Sequence, residues 1–186
     1  MDSTLDYPGL LVLGLFFEDP YGELHLREVA SRAEVSASTA KRFLDEYTRS
    51  GLVTRTRKAN LRIFRANLEE PAFRLWKASW LLLKSRPFLR RLAEEYSDSS
   101  LTLFGSCANG TDGPGSDLDL LLITRRSAEP QERVLREFSK KVHRNIQMIR
   151  FTPEQWERKA KEDRPFYERI LIDGLPVIGS LPVVSP

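Results

Sequence analysis

Two acidic side chains at the start of an apolar run are the residues of this chain best suited to catalysis. Asp117 and Asp119 flank Leu118 in the segment 116–123, which predicts a β-strand. Residues i and i+2 of a strand point to the same face, so the two carboxylates share one space, with Cα atoms about 6.6 Å apart. Their repulsion raises a pKa or requires a cation.

A cation held by these acids would be bound through oxygen. The sequence has one cysteine, Cys107, and two distant histidines, His25 and His143, and so offers no structural zinc set. Carboxylate oxygens suit Mg²⁺ or Mn²⁺, which usually share their site with phosphate oxygens. The acid pair therefore predicts a Mg²⁺ (or Mn²⁺) site, whereas Cys107 is interpreted as a small buried side chain.

A candidate phosphate site lies upstream of the acid pair. Gly105 and Ser106 follow the apolar run 101–104, which predicts a short strand ending in a turn. A residue without a side chain, next to a hydroxyl, lets the backbone approach a phosphate closely, and a helix starting near Ser106 would add its free N–H groups. The chain lacks the Gly-rich motifs of P-loop NTPases and Rossmann dehydrogenases, which argues against both classes.

The combined pattern is Leu103-Phe-Gly-Ser, ten further residues, and Asp-Leu-Asp followed by apolar residues. It resembles the signature of the polymerase β-type minimal nucleotidyltransferases, and the predicted order of elements extends the similarity over 98–180. The resemblance implies that Gly105 and Ser106 bind the nucleotide and that Asp117 and Asp119 are the metal ligands and catalytic residues. It also implies transfer of a nucleoside monophosphate from a nucleoside triphosphate (NTP) to a protein or nucleic-acid hydroxyl, RNA included.

Two positions depart from the family pattern. Many members carry an arginine in the short helix after Gly-Ser, where this chain has Cys107-Ala-Asn109. The third carboxylate usually comes from the next strand, which here reads Asn145-Ile-Gln147. An amide oxygen can ligate a metal but cannot offset its charge or accept a proton as a carboxylate does. Glu154, in the following helix, is the alternative third acid.

The N-terminal third of the chain contains a concentrated basic stretch. Residues 36–66 hold eight Lys or Arg against two acids, a net charge of +6, whereas the whole chain carries +3. Apolar spacing predicts three helices, with Ser36 or Ser38 capping the third and Gly51 ending it. Alternating residues around Lys58-Ala-Asn60 then predict a hairpin. Three helices followed by a basic hairpin is the order of a winged helix-turn-helix, which favours binding to double-stranded DNA.

The predicted DNA contacts lie on two elements. The start of the third helix enters the major groove, and the hairpin meets phosphates. These residues are Ser38, Thr39, Lys41 and Arg42 on the helix, and Arg55, Arg57, Lys58 and Arg62 on the hairpin. In the alternative, this domain only dimerises or docks and its charges form a solvated face. A homodimer is expected from geometry, since such proteins often read paired half-sites.

The fold class predicted from these elements is α+β. A winged helix-turn-helix domain spans 1–68, a helical connector 69–97 and a small α/β nucleotidyltransferase domain 98–186, in which 130–143 and 153–172 are helical. Pro87 is expected to interrupt the connector, and Trp76 and Trp80 are interpreted as core. As a whole, the chain resembles prokaryotic, especially archaeal, proteins in which a winged helix precedes such a domain.

Composition indicates where the protein is expected in the cell, and three hypotheses about its function remain. With 41% hydrophobic and 30% charged residues, and apolar runs too short to cross a bilayer, the chain is expected to be cytoplasmic and to have no membrane partner. Three functions stay open. They are a Mg²⁺-dependent nucleotidyltransferase, a transcriptional regulator that only senses nucleotide through a degenerate domain, and an antitoxin-like protein that acts through a bound partner.

Overall fold

The chain forms two compact units, Met1–Trp80 and Leu81–Pro186. The computed structural model describes residues 5–126 and 132–184. Mixed α and β elements occur in both units, in agreement with the predicted fold class. The boundary between the units falls inside one helix, so each unit is described separately below.

The first unit consists of helices and a three-stranded antiparallel sheet. Its elements are α1 (Pro8–Glu18), β1 (Leu24–His25), α2 (Leu26–Arg32), α3 (Ala37–Arg49), β2 (Val53–Lys58) and β3 (Leu61–Ala66). The strands lie in the order β1-β3-β2, and β2 and β3 form the predicted hairpin around Ala59-Asn60. Three helices before a basic hairpin is the order expected from the sequence.

Local sequence explains where α3 begins and ends. The hydroxyl of Ser36 accepts a hydrogen bond from the Thr39 N–H at 3.1 Å, which makes Ser36 the N-cap. Gly51 follows the helix with a φ of +79°, a backbone conformation that glycine adopts without strain. The inner face of α3 joins a fully apolar core with α1 and the sheet, which includes Val12, Phe16, Phe17, Ala40, Phe43, Leu44 and Phe64.

The second unit is built on a four-stranded sheet. Its elements after the boundary helix α4 (Pro71–Glu95) are β4 (Ser100–Phe104), α5 (Gly105–Asn109), β5 (Leu118–Ile123), α6 (Glu132–Val142), β6 (Ile146–Phe151), α7 (Pro153–Glu162), α8 (Arg164–Asp173) and β7 (Leu175–Ile178). The strand order is β6-β5-β4-β7, with β5 and β6 parallel and the other neighbours antiparallel. The end of β4 and the starts of β5 and β6 therefore meet at one edge of the sheet.

Helix α4 corrects two expectations. It runs through Pro87 without interruption, although the missing N–H of proline leaves the Leu83 carbonyl without its usual helical partner. Packing explains why the helix continues, since Leu89 and Leu92 are buried beyond the proline. Trp76 is 48% exposed and is not a core residue, in contrast to the prediction. Neither α4 nor any other described helix is long and apolar enough to cross a membrane.

The helices that flank the sheet also differ from the prediction. The segment expected to form one helix over 153–172 is divided at Asp163, whose carboxylate caps α8 by accepting from the Phe166 N–H at 3.3 Å. The division follows from Pro165, which suits the first turn of a helix better than its interior. The helix expected over 130–143 is observed as α6, and residues 130 and 131 lie outside the described residues.

Candidate functional site

The sheet brings the predicted acid pair beside the predicted phosphate turn. In the strand register, Asp119 of β5 lies opposite Phe104, the last residue of β4, and on its other side opposite Gln147 of β6. Asp117 immediately precedes β5, and the next residue, Leu118, donates its N–H to the Asn145 carbonyl at 2.8 Å. Residues far apart in sequence thus meet at one edge of the sheet.

Two features of position 105 favour glycine, namely its backbone conformation and the nearby carboxylate. It begins α5 with a φ of +72°, and a Cβ at this position would lie 2.6 Å from the Oδ2 atom of Asp119. A side chain here would therefore displace the carboxylate. Ser106 follows, half-buried, in the first turn of the helix. The Gly-Ser turn and the acid pair consequently form one site.

Asp117 is held by two partners. The Gln147 side-chain amide donates to its Oδ2 atom at 2.6 Å, and the thiol of Cys107 donates to its main-chain oxygen at 3.2 Å. Cys107 is fully buried, as expected, yet its contact with Asp117 was not part of the sequence interpretation. Gln147 is one of the two amide residues, with Asn145, in the segment where the nucleotidyltransferase resemblance implies a third acid.

The electrostatics of the acid pair leave it suited to a cation. Burial, and secondarily the charge of Asp117, raise the pKa of Asp119 above its ordinary value. The two carboxylates fit one divalent ion of the Mg²⁺ class, since oxygen ligands and uncompensated negative charge are what that ion requires. Among the described residues, no group of three or more His, Cys, Asp and Glu side chains could hold a metal.

Glu154 does not supply the third acid, in contrast to the alternative considered from the sequence. It lies in α7, which follows the far end of β6, and its carboxylate pairs with Arg125 at 3.2 Å. Arg125 in turn follows the far end of β5. Glu154 is therefore at the opposite edge of the sheet from Asp117 and Asp119, a full strand length away.

The eight predicted DNA contacts lie on the surface of the first unit. Seven of them are exposed, and Thr39 is partly exposed. On α3, the Ser36 hydroxyl lies 2.9 Å from that of Ser38 and 2.8 Å from that of Thr39, and the Arg42 guanidinium stacks 4.4 Å from the centre of the Phe43 ring. The start of α3 thus presents hydroxyls beside cations.

The hairpin continues this basic surface. Arg57 and Arg62 lie directly opposite each other, and Arg55 lies opposite the buried Phe64, so these arginines share the sheet face that packs towards the helices. The Nε atom of Arg57 donates to the Ala59 carbonyl at 3.1 Å, within the hairpin turn. Here "basic surface" denotes the exposed side chains of Ser38, Lys41, Arg42, Arg55, Arg57 and Arg62. Lys58, which was predicted to belong with them, lies opposite Leu61 in the register and therefore on the other face of the hairpin.

Two acids that pair with basic residues of α3 and the hairpin were not identified from the sequence. Asp45 pairs with Lys41 at 3.0 Å and with Arg55 at 3.1 Å, and these partners, the Lys41 hydrogen bond above all, lower its pKa. Glu23 lies 3.9 Å from Lys58. The Lys41–Asp45 pair has the i,i+4 spacing that sequence alone could have indicated, whereas the Glu23 contact depends on tertiary structure.

Comparison with known proteins defines the class of the second unit. The family model of the nucleotidyltransferase domain matches residues 85–178, about half of the chain, and the chain belongs to this family. This confirms the nucleotidyltransferase resemblance drawn from the Gly-Ser and Asp-Leu-Asp motifs. No curated protein sequence matches the chain.

Solved structures give only weak similarities. A transcriptional regulator from Rhodococcus sp. RHA1 is 19% identical, with 70% of this chain and 48% of that one covered and a TM-score of 0.33. HmgR of Pseudomonas aeruginosa is 15% identical, with 68% of this chain and 50% of that one covered and a TM-score of 0.31. An IclR homolog from Microbacterium hydrocarbonoxydans is 15% identical, with 68% of this chain and 50% of that one covered and a TM-score of 0.29. The chain spans about half the length of these proteins.

Replacing Gly105 tests whether the turn and the acid pair form one site. We expect Gly105→Ala to lower the free energy of unfolding by roughly 2 to 4 kcal/mol, since it combines a positive φ with an overlap on Asp119. Gly115→Ala is the matched control, because Gly115 also has a positive φ but open space around its Cβ position. The control should lose only about 1 kcal/mol. Equal losses in thermal melting would contradict the predicted overlap.

Replacing Asp119 tests the electrostatic cost of the site. A raised native pKa means that the folded protein binds the proton more tightly, so stability falls as pH rises from the ordinary carboxyl pKa through the folded one. We expect Asp119→Asn to raise the free energy of unfolding at pH 7 by a few tenths to about 1 kcal/mol and to flatten this pH dependence. Chemical denaturation between pH 3 and pH 8 measures both, and a destabilised variant at pH 7 would count against the explanation.

Proposed function

We propose that the chain is a DNA-binding protein whose second unit transfers a nucleoside monophosphate from an NTP to a hydroxyl of a protein or nucleic acid. The observation that carries the proposal is the Asp119 carboxylate held against the Gly105 backbone, with Asp117 two residues before it, in a domain of the nucleotidyltransferase family. A pair of half-buried like charges has no purpose in folding, since it costs stability unless a cation joins it.

The residues of the site have separate roles in binding phosphate, binding the metal and orienting a carboxylate. The Gly105-Ser106 turn binds the nucleotide phosphates through its backbone and the serine hydroxyl. Asp117 and Asp119 would hold Mg²⁺ (or Mn²⁺), which when bound offsets the charge of the transferring phosphoryl group. Gln147 orients Asp117, but its amide cannot take a proton. As the acceptor oxygen bonds to the α-phosphorus, the bond to pyrophosphate breaks, pyrophosphate leaves and the hydroxyl proton passes to water.

A second candidate function is a transcriptional regulator that binds nucleotide without transferring it. The hydrogen bond from Gln147 to Asp117 favours this function, because it uses one oxygen of a metal-binding carboxylate and puts an amide where the family usually has an acid. Both functions use the same nucleotide site. They differ in whether the bond to the α-phosphate is broken.

The first unit supports DNA binding by a winged helix-turn-helix. Its helix order, its three-stranded sheet and its hairpin match that fold, and α3 presents exposed polar and basic side chains at its N-terminal end. We infer that α3 enters the major groove of double-stranded DNA and that Arg55, Arg57 and Arg62 contact phosphates from one face of the hairpin. Lys58 would reach a phosphate only from the hairpin turn. Paired half-sites would be read by a homodimer.

A labelling experiment tests the transfer reaction. Purified protein is incubated with each α-labelled NTP and Mg²⁺ or Mn²⁺, with RNA, DNA and cell extract as acceptors. We expect label on one acceptor class, and complete loss of transfer for Asp117→Asn and Asp119→Asn, because neither variant keeps both carboxylates. Transfer that survives both substitutions would overturn the catalytic assignment. Tight NTP binding without transfer would instead establish the nucleotide-sensing function.

Salt dependence tests the DNA interface. We expect Arg57→Ala to reduce the slope of log affinity against log salt concentration by about one unit on duplex DNA, since one phosphate contact is lost. Arg65→Ala is the control, because Arg65 pairs with Glu23 on the opposite face of the hairpin. Fluorescence anisotropy at several salt concentrations measures both slopes. Equal effects of the two substitutions would contradict the assigned face.

A further inference from the structure

Arg144 is a buried cation whose contacts converge on one loop. Its side chain is 9% exposed, and its guanidinium pairs with the carboxylate of Asp112, which is 2% exposed. The same guanidinium donates to the Gly113 carbonyl at 2.9 Å and to the Ser116 carbonyl at 3.0 Å. Two nitrogens of one planar group thus bind three acceptors of the segment 112–116, a fixed fork that the single nitrogen of a lysine does not reproduce.

The loop that Arg144 binds is the connection between the two halves of the site. Residues 110–116 join the end of α5, which starts with the Gly-Ser turn, to Asp117. The last carbonyl that Arg144 binds belongs to Ser116, directly before Asp117. The position of Asp117 therefore depends on how this loop is held.

Arg144, two residues before β6, is itself fixed to α6. Its N–H donates to the Ser139 carbonyl at 3.2 Å, and the Ser139 hydroxyl donates back to the Arg144 carbonyl. Three residues further on, Gln147 binds the Asp117 carboxylate. Residues 144–147 thus contact 116–118 in three successive ways, through a guanidinium, a main-chain carbonyl and a side-chain amide.

We propose that Arg144 is the positioning residue of the acid pair. By clamping Asp112, Gly113 and Ser116, it holds Asp117 within reach of Gln147 and at the separation from Asp119 that a divalent cation requires. Its role is indirect, since it touches neither Asp117 nor Asp119 in the contacts above. The inference rests on the proposed function in treating the acid pair as a cation site.

The test uses the full chain and two substitutions of Arg144. Arg144→Lys keeps the charge opposite Asp112 but cannot reach both carbonyls, and Arg144→Ala removes all three contacts. The first readout is the ¹⁵N NMR signal of the Gln147 side-chain amide, which reports its bond to Asp117 without any metal. The second is Mn²⁺ affinity by electron paramagnetic resonance. Arg126→Lys is the control, because Arg126 also pairs with a carboxylate, that of Asp98, at the other edge of the sheet.

We expect Arg144→Lys to weaken Mn²⁺ binding about tenfold, as loss of a supporting contact behind a ligand commonly does. Its Gln147 amide signal should move to the position and exchange rate of a solvated amide, while melting shows a folded protein. Guanidinium ion should restore part of the affinity to Arg144→Ala if that variant folds. The control should match the wild type in both readouts.

The experiment distinguishes failure of the positioning role of Arg144 from failure of the proposed cation site. An unchanged Gln147 amide signal in Arg144→Lys would overturn the positioning role, whatever the metal affinity. If the wild type bound no Mn²⁺, the cation site of the proposed function would fail, and the amide signal would still decide whether Arg144 positions Asp117. A loss of signal and affinity that the control shared would also overturn the proposal, because it would reflect general loosening of the domain.

Discussion

The close approach of the Asp119 carboxylate to the Gly105 backbone is the constraint on which the site depends. It exists because the last residue of β4 pairs with Asp119 on β5, so that the chain turns into α5 directly beside a carboxylate. A Cβ at Gly105 would displace that carboxylate. The Gly-Ser turn and the acid pair are therefore interdependent, and neither can be altered without moving the other.

The two carboxylates of the acid pair are stabilised to different extents. Asp117 has two hydrogen-bond donors, the Gln147 amide and, at its carbonyl, the Cys107 thiol, whereas burial and the neighbouring carboxylate destabilise the charged form of Asp119. A cation bound between the two carboxylates, as proposed above, would relieve this repulsion. The amide at position 147 stabilises Asp117 without adding negative charge, which is why the two candidate functions differ over chemistry and not over binding.

The basic surface of the first unit contains a group of like positive charges, two of which are paired with an acid. Asp45 lies between Lys41 and Arg55 and pairs with both. If a phosphate replaced the acid, as proposed above, less of the conformational freedom of these side chains would remain to be lost. Exposed ion pairs of this kind contribute little to stability. Their effect is on the geometry of the cations, which supports an interface with a polyanion.

The sequence by itself determined the elements and the chemical types of the site. Local signals sufficed for the hairpin and the strand that follows Asp117, and they narrowed the helix cap to Ser36 or Ser38, since capping, turn chemistry and alternation act over a few residues. Packing decided what those signals could not, namely the uninterrupted α4 at Pro87 and the exposure of Trp76. Only the tertiary structure brought Arg144 to Asp112 and Gln147 to Asp117, because the pairing of β5 with β6 joins residues some thirty positions apart, a distance over which local propensity carries no information.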